Sequence, residues 1–212
     1  MEPLRILTGQ TASGKSTVAV RVAELTGAEL ISVDSIKVYR GLDIGTAKPS
    51  RSVRERVRFH ALDVVEAWES FSLARYLECA RSAEAEIRAR GGRPLYSGGT
   101  PLYLRGLLYG VFEGPGADLA LREELTARAQ REGVGALHDE LRRVDPVTAQ
   151  RLHPNDAFRV IRALEVARAT GRPISAHQRQ YPAARPAVAY RMVALRREEA
   201  DLKSRIGRRV ER

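Results

Sequence analysis

Gly9-Gln10-Thr11-Ala12-Ser13-Gly14-Lys15-Ser16 fits the pattern G-x-x-x-x-G-K-[ST] at every position. The apolar run Leu4-Arg5-Ile6-Leu7-Thr8 before it reads as a buried parallel strand, and the stretch from Thr17 to Leu25 after it reads as a helix. Strand, loop and helix therefore stand in the order a phosphate cradle requires. In that order successive backbone amides, backed by the positive end of the helix, point at one anion. Gly9 and Gly14 permit the bend, Lys15 brings a point charge, and Ser16 offers a hydroxyl to a magnesium ion. The motif predicts that Gly9, Thr11, Ala12, Ser13, Gly14, Lys15, Ser16 and Thr17 hold a di- or triphosphate. It leaves open which compound carries that group.

Moving outward, Gly27 ends the helix and residues 28–33 read as a second strand that delivers Asp34 and Ser35 at its carboxyl end. Ligands of open parallel sheets bind beyond those ends, so Asp34 is expected to face the phosphate loop. A carboxylate there either holds magnesium through water, takes a proton from a substrate, or simply caps a helix. Residues 36–49 have no clean period and read as a loop. Apolar positions from Leu73 to Ile87 recur at helical spacing until Gly91-Gly92, and Leu95-Tyr96-Ser97 reads as a third strand. Its exit, Gly98-Gly99-Thr100, lets backbone amides and a hydroxyl approach the same pocket. This alternation specifies an α/β fold: a P-loop NTPase-like, doubly wound parallel sheet.

From Asp118 the pattern changes to charged helices over 118–132, 133–143, 146–152 and 155–170. Gly114-Pro115-Gly116 reads as a hinge, Tyr181 to Pro186 as an extended linker, and 187–195 as a strand returning to the core sheet. The expected organisation is a phosphate-binding core over 1–113, an inserted α-helical domain over 114–186, and the return of the chain over 187–212. Arg159 and Arg162 lie three apart on the last of those helices and, with Arg151 and His153, give either a basic edge or a salt-bridged, solvated face, the usual source of such a pattern.

The net charge is +10 with 36 basic residues, and lysine stands only at 15, 37, 48 and 203, so the cations are mostly Arg. Arg suits bidentate phosphate contacts and base stacking, and an anionic polymer is one partner such a chain would take. The other source of the same composition is solvated surface Arg. Cys79, the single cysteine, excludes a disulfide framework and a cysteine metal site. With no long apolar run and no leader pattern, the reading is a soluble cytoplasmic protein without membrane contact.

The phosphate loop followed by Asp34-Ser35-Ile36-Lys37-Val38-Tyr39-Arg40-Gly41-Leu42-Asp43-Ile44-Gly45-Thr46-Ala47-Lys48-Pro49 resembles the tRNA dimethylallyltransferases, or tRNA isopentenyltransferases. His60-Ala61-Leu62-Asp63, Phe71 to Tyr76, Pro94 to Leu104 and His153 to Val166 resemble later segments of that family in the same order. The resemblance implies transfer of a dimethylallyl group from dimethylallyl diphosphate to the N6 amine of adenosine 37, beside the anticodon of tRNAs reading codons that begin with U. It implies magnesium at Ser16, Asp34 as general base, and catalytic parts for Thr100 and Lys15. Arg205 and Arg209 match the family's Arg-Ile-x-x-Arg-Val pattern, and the resemblance implies that at least one of them clamps the diphosphate. Contacts to the tRNA anticodon stem-loop are implied for Asp34, Ser35, Ile36, Lys37, Thr100, Arg122, Phe158, Arg159, Val160, Ile161 and Arg162. A monomer is expected.

Lys37 departs from the Gln or aliphatic residue usual in the family, and Gln10, Ser97 and Pro101 are further departures. The chain also ends where family members continue with helices that close on the substrate, so a fragment or a shortened member is expected. Three readings compete: an adenylate isopentenyltransferase, a P-loop small-molecule kinase, and a truncated RNA-binding form without activity.

Overall fold

The computed structural model describes residues 2–111, 114–178 and 185–211. The chain divides into two compact units, one of residues 1–111 and 186–212, the other of residues 112–185.

The first unit is built on five parallel strands: β1 (Leu4–Gly9), β2 (Ala28–Val33), β3 (Phe59–His60), β4 (Arg93–Gly98) and β5 (Tyr190–Leu195), in the spatial order β3-β2-β4-β1-β5. Five helices belong to it among the described residues: α1 (Lys15–Thr26), α2 (Arg51–Arg56), α3 (Leu73–Ala89), α4 (Pro101–Tyr109) and α10 (Glu199–Val210). Side chains alternate across the sheet. Ile6, Ile31, Val33 and Tyr96 pack with α3 and α4, whereas Leu7, Leu30 and Leu95 pack with Ala19 and Ala23 of α1. A sheet covered on both faces is the doubly wound arrangement. Burying a side chain such as Ile87, fully inside this core, contributes about 1.5–3 kcal/mol.

The strand expected over 187–195 begins at Tyr190: the Ala189 carbonyl takes the first ladder bond, from the Leu4 amide, while the Ala187 amide is spent on the Leu108 carbonyl. The two-residue β3 and the short α2 lie where no period announces them. Pro101 opens α4 at its first position, where a helix leaves the amide unpaired in any case. At Gly98 the fold requires glycine: a Cβ there would lie 2.1 Å from the Val33 carbonyl oxygen, so β4 packs against the end of β2 only without a side chain.

The second unit contains α5 (Leu119–Glu132), α6 (Val134–Val144), α7 (Pro146–Arg151), α8 (Ala157–Thr170) and α9 (Ile174–Gln178). Asp118, Asp145 and Asp156 cap α5, α7 and α8 by accepting the amides of Leu121, Thr148 and Arg159. Leu125, Leu137, Leu141, Val160 and Leu164 form its apolar core. The expected hinge is fastened within this unit, since Arg162 donates to the carbonyls of Pro115 and Gly116. Of the expected linker, residues 181–184 lie outside the described residues.

Candidate functional site

The phosphate loop closes on itself before it offers anything to a ligand. The Ser13 amide donates to Gln10 O at 3.2 Å, Ala12 takes a left-handed backbone, and Gly14 does the same at φ +90° where α1 begins. The amides of Gly14, Lys15, Ser16 and Thr17 have no acceptor among the described residues. These are the donors a helix leaves unpaired at its start, and together with the helix dipole they form an anion site. Ser13 Oγ is buried without a hydrogen-bond partner in the same loop. A buried hydroxyl in that condition is costly until an acceptor arrives, and a phosphate oxygen supplies one.

Two arginines hold the outside of the loop. Arg205 Nε donates to Ala12 O at 2.9 Å and Arg197 Nε to Ser13 O at 2.8 Å. Their Nη2 atoms lie over Gly14, 3.7 and 3.5 Å from where a Cβ would stand. Arg197 also pairs with Asp201 at 2.8 Å, whereas Arg205 and Arg209 have no carboxylate partner among the described residues. A cleft of about 780 Å³ runs along Thr11–Ser16, walled by Ile44, Gly45 and Ala47 on one side and by Arg205, Arg208 and Arg209 of α10 on the other. Thus Thr11, Ala12, Ser13, Gly14, Lys15, Ser16, Arg205 and Arg209 converge. Gly9 and Thr17 do not line this cleft.

Across the carboxyl end of the sheet, Asp34 follows β2 and Thr100 follows β4. Asp34 Oδ1 accepts the amides of Ile36 at 2.9 Å and Lys37 at 3.2 Å, so one oxygen fixes the turn. Asp34 Oδ2 has no hydrogen-bond partner among the described residues. The turn therefore occupies one oxygen of the carboxylate and leaves the other free of it. Burial lowers the affinity of the Lys15 ammonium for its proton, the Asp34 charge opposes that effect, and Arg209 adds to it. Asp34, Lys15 and Arg209 thus share one electrostatic environment. The Thr100 hydroxyl accepts the Ser35 amide at 3.1 Å.

The loop after Asp34 is anchored by a residue that sequence reasoning left unassigned. The Lys48 ammonium, almost fully buried, bonds to Tyr39 O, Asp43 Oδ1 at 3.0 Å and Asp63 Oδ1 at 2.7 Å. Arg54 closes the group on Asp63 at 2.6 Å. Arg197 and Lys48 act across gaps in the chain that no local period reveals; only their presence beside a strand end and in the 36–49 loop hinted at them.

No group of three His, Cys, Asp or Glu side chains suited to a metal occurs among the described residues. A cation here would rest on the Ser16 hydroxyl, ligand phosphate oxygens and water, a donor set that magnesium accepts.

In the second unit, Phe158 is exposed and Arg159 pairs with Asp156 at 2.8 Å. Val160 and Ile161, expected to touch RNA, are buried with Leu125 and Leu137, so their side chains are core and unavailable to a ligand. The 3.6-residue period turns those two positions inward while it leaves Phe158, Arg159 and Arg162 on other faces. Arg122 and Arg162 both pair with the fully buried Glu165, at 2.8 and 3.1 Å.

The family model described as IPP transferase matches residues 37–212, and the one described as Isopentenyl transferase matches residues 2–63. The chain belongs to the IPP transferase family. Among relatives, it is 46% identical over 209 residues to the tRNA dimethylallyltransferase of Geobacter sulfurreducens, covering 99% of this chain and 67% of the relative. It is 47% identical over 211 residues to that of Xanthomonas axonopodis pv. citri, covering 99% and 64%. The chain therefore spans about two thirds of the length of these family members. A solved eukaryotic dimethylallyltransferase acting on tRNA superposes with a TM-score of 0.81 at 25% identity, over 100% of this chain and 52% of that one. The tRNA isopentenylpyrophosphate transferase of Bacillus halodurans gives 0.61 at 39% identity, over 100% and 65%. No helix among the described residues is long and apolar enough to cross a membrane.

Proposed function

We propose that this chain carries the donor site and the acceptor carboxylate of a tRNA dimethylallyltransferase. The observation that carries the reading is the facing pair: an anion cradle with unpaired amides, and Asp34 within electrostatic reach of its Lys15. The family's relatives named as tRNA dimethylallyltransferases support it.

In this mechanism the diphosphate of dimethylallyl diphosphate lies on the Gly14, Lys15 and Ser16 amides, with Lys15, Arg205 and Arg209 around it. The N6 amine of adenosine 37 attacks the donor's first carbon. The carbon–oxygen bond breaks, its electron pair leaves with the diphosphate, and the amine proton passes to Asp34 Oδ2. Charge accumulates on the leaving diphosphate, where preorganised donors stabilise the transition state more than the ground state. Bound at Ser16, magnesium would supply further positive charge there. The purine must leave its stack to reach Asp34, which a loop permits and a duplex resists. Arg159 and the exposed Phe158 offer a charge and a stacking face to RNA from the helical unit.

The match of the Isopentenyl transferase model over residues 2–63 favours one second reading, an adenylate isopentenyltransferase using free nucleotides. Incubation with labelled dimethylallyl diphosphate and either unmodified tRNA, AMP or ATP separates them. Label on tRNA alone is expected; label only on AMP or ATP replaces the acceptor, and label on none refutes transfer.

A further inference from the structure

Lys37 belongs to the loop expected to read the nucleotide, but its side chain does not turn outward with its neighbour. Ile36 is half exposed, whereas Lys37 lines a partly open pocket of about 300 Å³ together with Ser16 and Thr17 of the phosphate loop and Ser32 and Ser97 of the sheet. The pocket and the phosphate cleft meet at Ser16 and Ala47, which line both. The Lys37 ammonium has no hydrogen bond and no ion pair among the described residues.

Its surroundings are mostly of its own sign. Burial and the charges of Lys15, Arg209 and Lys48 all act against it, and Asp34 is the carboxylate that acts for it. Lys48 is already neutralised by Asp43 and Asp63, and Arg197 by Asp201. Lys15, Lys37, Arg205, Arg208 and Arg209 line the two cavities without a carboxylate ion-pair partner among the described residues, and Asp34 is the carboxylate set against them, so the site carries a net positive charge. A partly buried ammonium that faces charges of its own sign is stabilised when a counter-ion completes the group. An ester diphosphate carries roughly three negative charges near neutral pH, its outer phosphate nearly doubly ionised.

We infer that Lys37 is a donor-site residue: its ammonium contacts the diphosphate beside Ser16 and, with Lys15, Arg205 and Arg209, lets the site hold a diphosphate without a divalent ion. The inference rests on the donor reading above but concerns which side chains supply its countercharge. It removes Lys37 from the acceptor-reading set.

The test is calorimetric titration of the full chain with inorganic pyrophosphate, in chelator and then in saturating magnesium. Wild type is expected to bind in chelator. Lys37→Met and Lys37→Gln are expected to weaken binding in chelator by about tenfold or more, as loss of a charge-assisted hydrogen bond does, and to recover most of it in magnesium. Lys37→Arg keeps the metal-free affinity. Lys37→Gln preserves the polarity and reach of the position, so a folding defect confined to Lys37→Met leaves the measurement intact. Wild type that binds pyrophosphate only with magnesium overturns the inference, as do neutral variants with unchanged affinity in chelator. Both results are independent of label transfer to tRNA, which tests the activity itself.

Discussion

The Thr100 hydroxyl oxygen accepts the Ser35 amide hydrogen at 3.1 Å and so fastens the exit of β4 to the exit of β2. Gly99 and Thr100 return the connection by donating their amides to the Val33 carbonyl, at 3.1 and 3.3 Å. The turn that carries Asp34 is therefore held from the side by Thr100. Thr100→Val removes the acceptor and leaves the Ser35 amide unpaired, a cost of about 1–3 kcal/mol. Turnover of tRNA should fall by roughly tenfold or more on that figure, Thr100→Ser should restore most of it, and pyrophosphate affinity should not change. Steady-state kinetics of the two variants, set beside pyrophosphate titration, is the check.

If Asp34 is the base proposed above, substitution can separate that role from its turn contacts. Asparagine keeps an acceptor for the Ile36 and Lys37 amides but cannot take a proton, so the turn should survive and transfer should not. A positioned base contributes typically about 10²- to 10⁴-fold, and Asp34→Asn should lose transfer by that order. The same substitution deletes the negative charge that acts on Lys15 and Lys37. Pyrophosphate should then bind more tightly than to wild type. Slower transfer with tighter pyrophosphate binding is the expected pair of results; weaker binding would show that the turn itself has collapsed.

Arg205 spends its Nε on the Ala12 carbonyl and keeps its terminal nitrogens over Gly14. A planar guanidinium can brace the loop and face the anion together, which an ammonium at the same place cannot. Arg205→Lys should therefore cost nearly as much pyrophosphate affinity as Arg205→Met, about tenfold or more in each. A lysine variant that binds like wild type would reduce Arg205 to a simple charge.

The fold was legible where chemistry is local. Gly9 to Ser16 announces its loop because the spacing of glycines and lysine is the mechanism itself, and the period of Leu73 to Ile87 announces α3 because one face must be buried. Arg197 was not legible, since nothing near it in sequence reveals that its partner is Ser13, far along the chain. Lys48 stands in the loop after Asp34, but its buried bonds to Asp43 and Asp63 form only when that loop folds back. On α8 the helical spacing of Arg159 and Arg162 was legible but their partners were not, since Arg159 pairs with Asp156 and Arg162 with the buried Glu165, and the same period turns Val160 and Ile161 into the core.

That helical unit has its own weak point at Glu165, which no solvent reaches. Its carboxylate accepts the Asp118 amide at 2.8 Å and pairs with Arg122 and Arg162, joining the start of α5 to α8. Burial alone would raise its pKa; the Arg122 bond, the Asp118 amide and Arg162 outweigh burial and hold it below the ordinary glutamate value. A folded-state pKa below the unfolded one gives stability that is complete above the unfolded value, near 4.5, and is lost as pH falls through the folded value. Glu165→Gln should therefore destabilise the chain at neutral pH by about 3 kcal/mol, the low end for a broken buried pair because both arginines still reach water. The difference from wild type should shrink as pH drops below 4.5, because the wild-type carboxylate is then being protonated as well. Urea unfolding of both proteins from neutral pH down into that range measures it. A difference that stays constant with pH would mean that the Gln side chain is tolerated or rejected for its shape, and that the ion pairs contribute nothing.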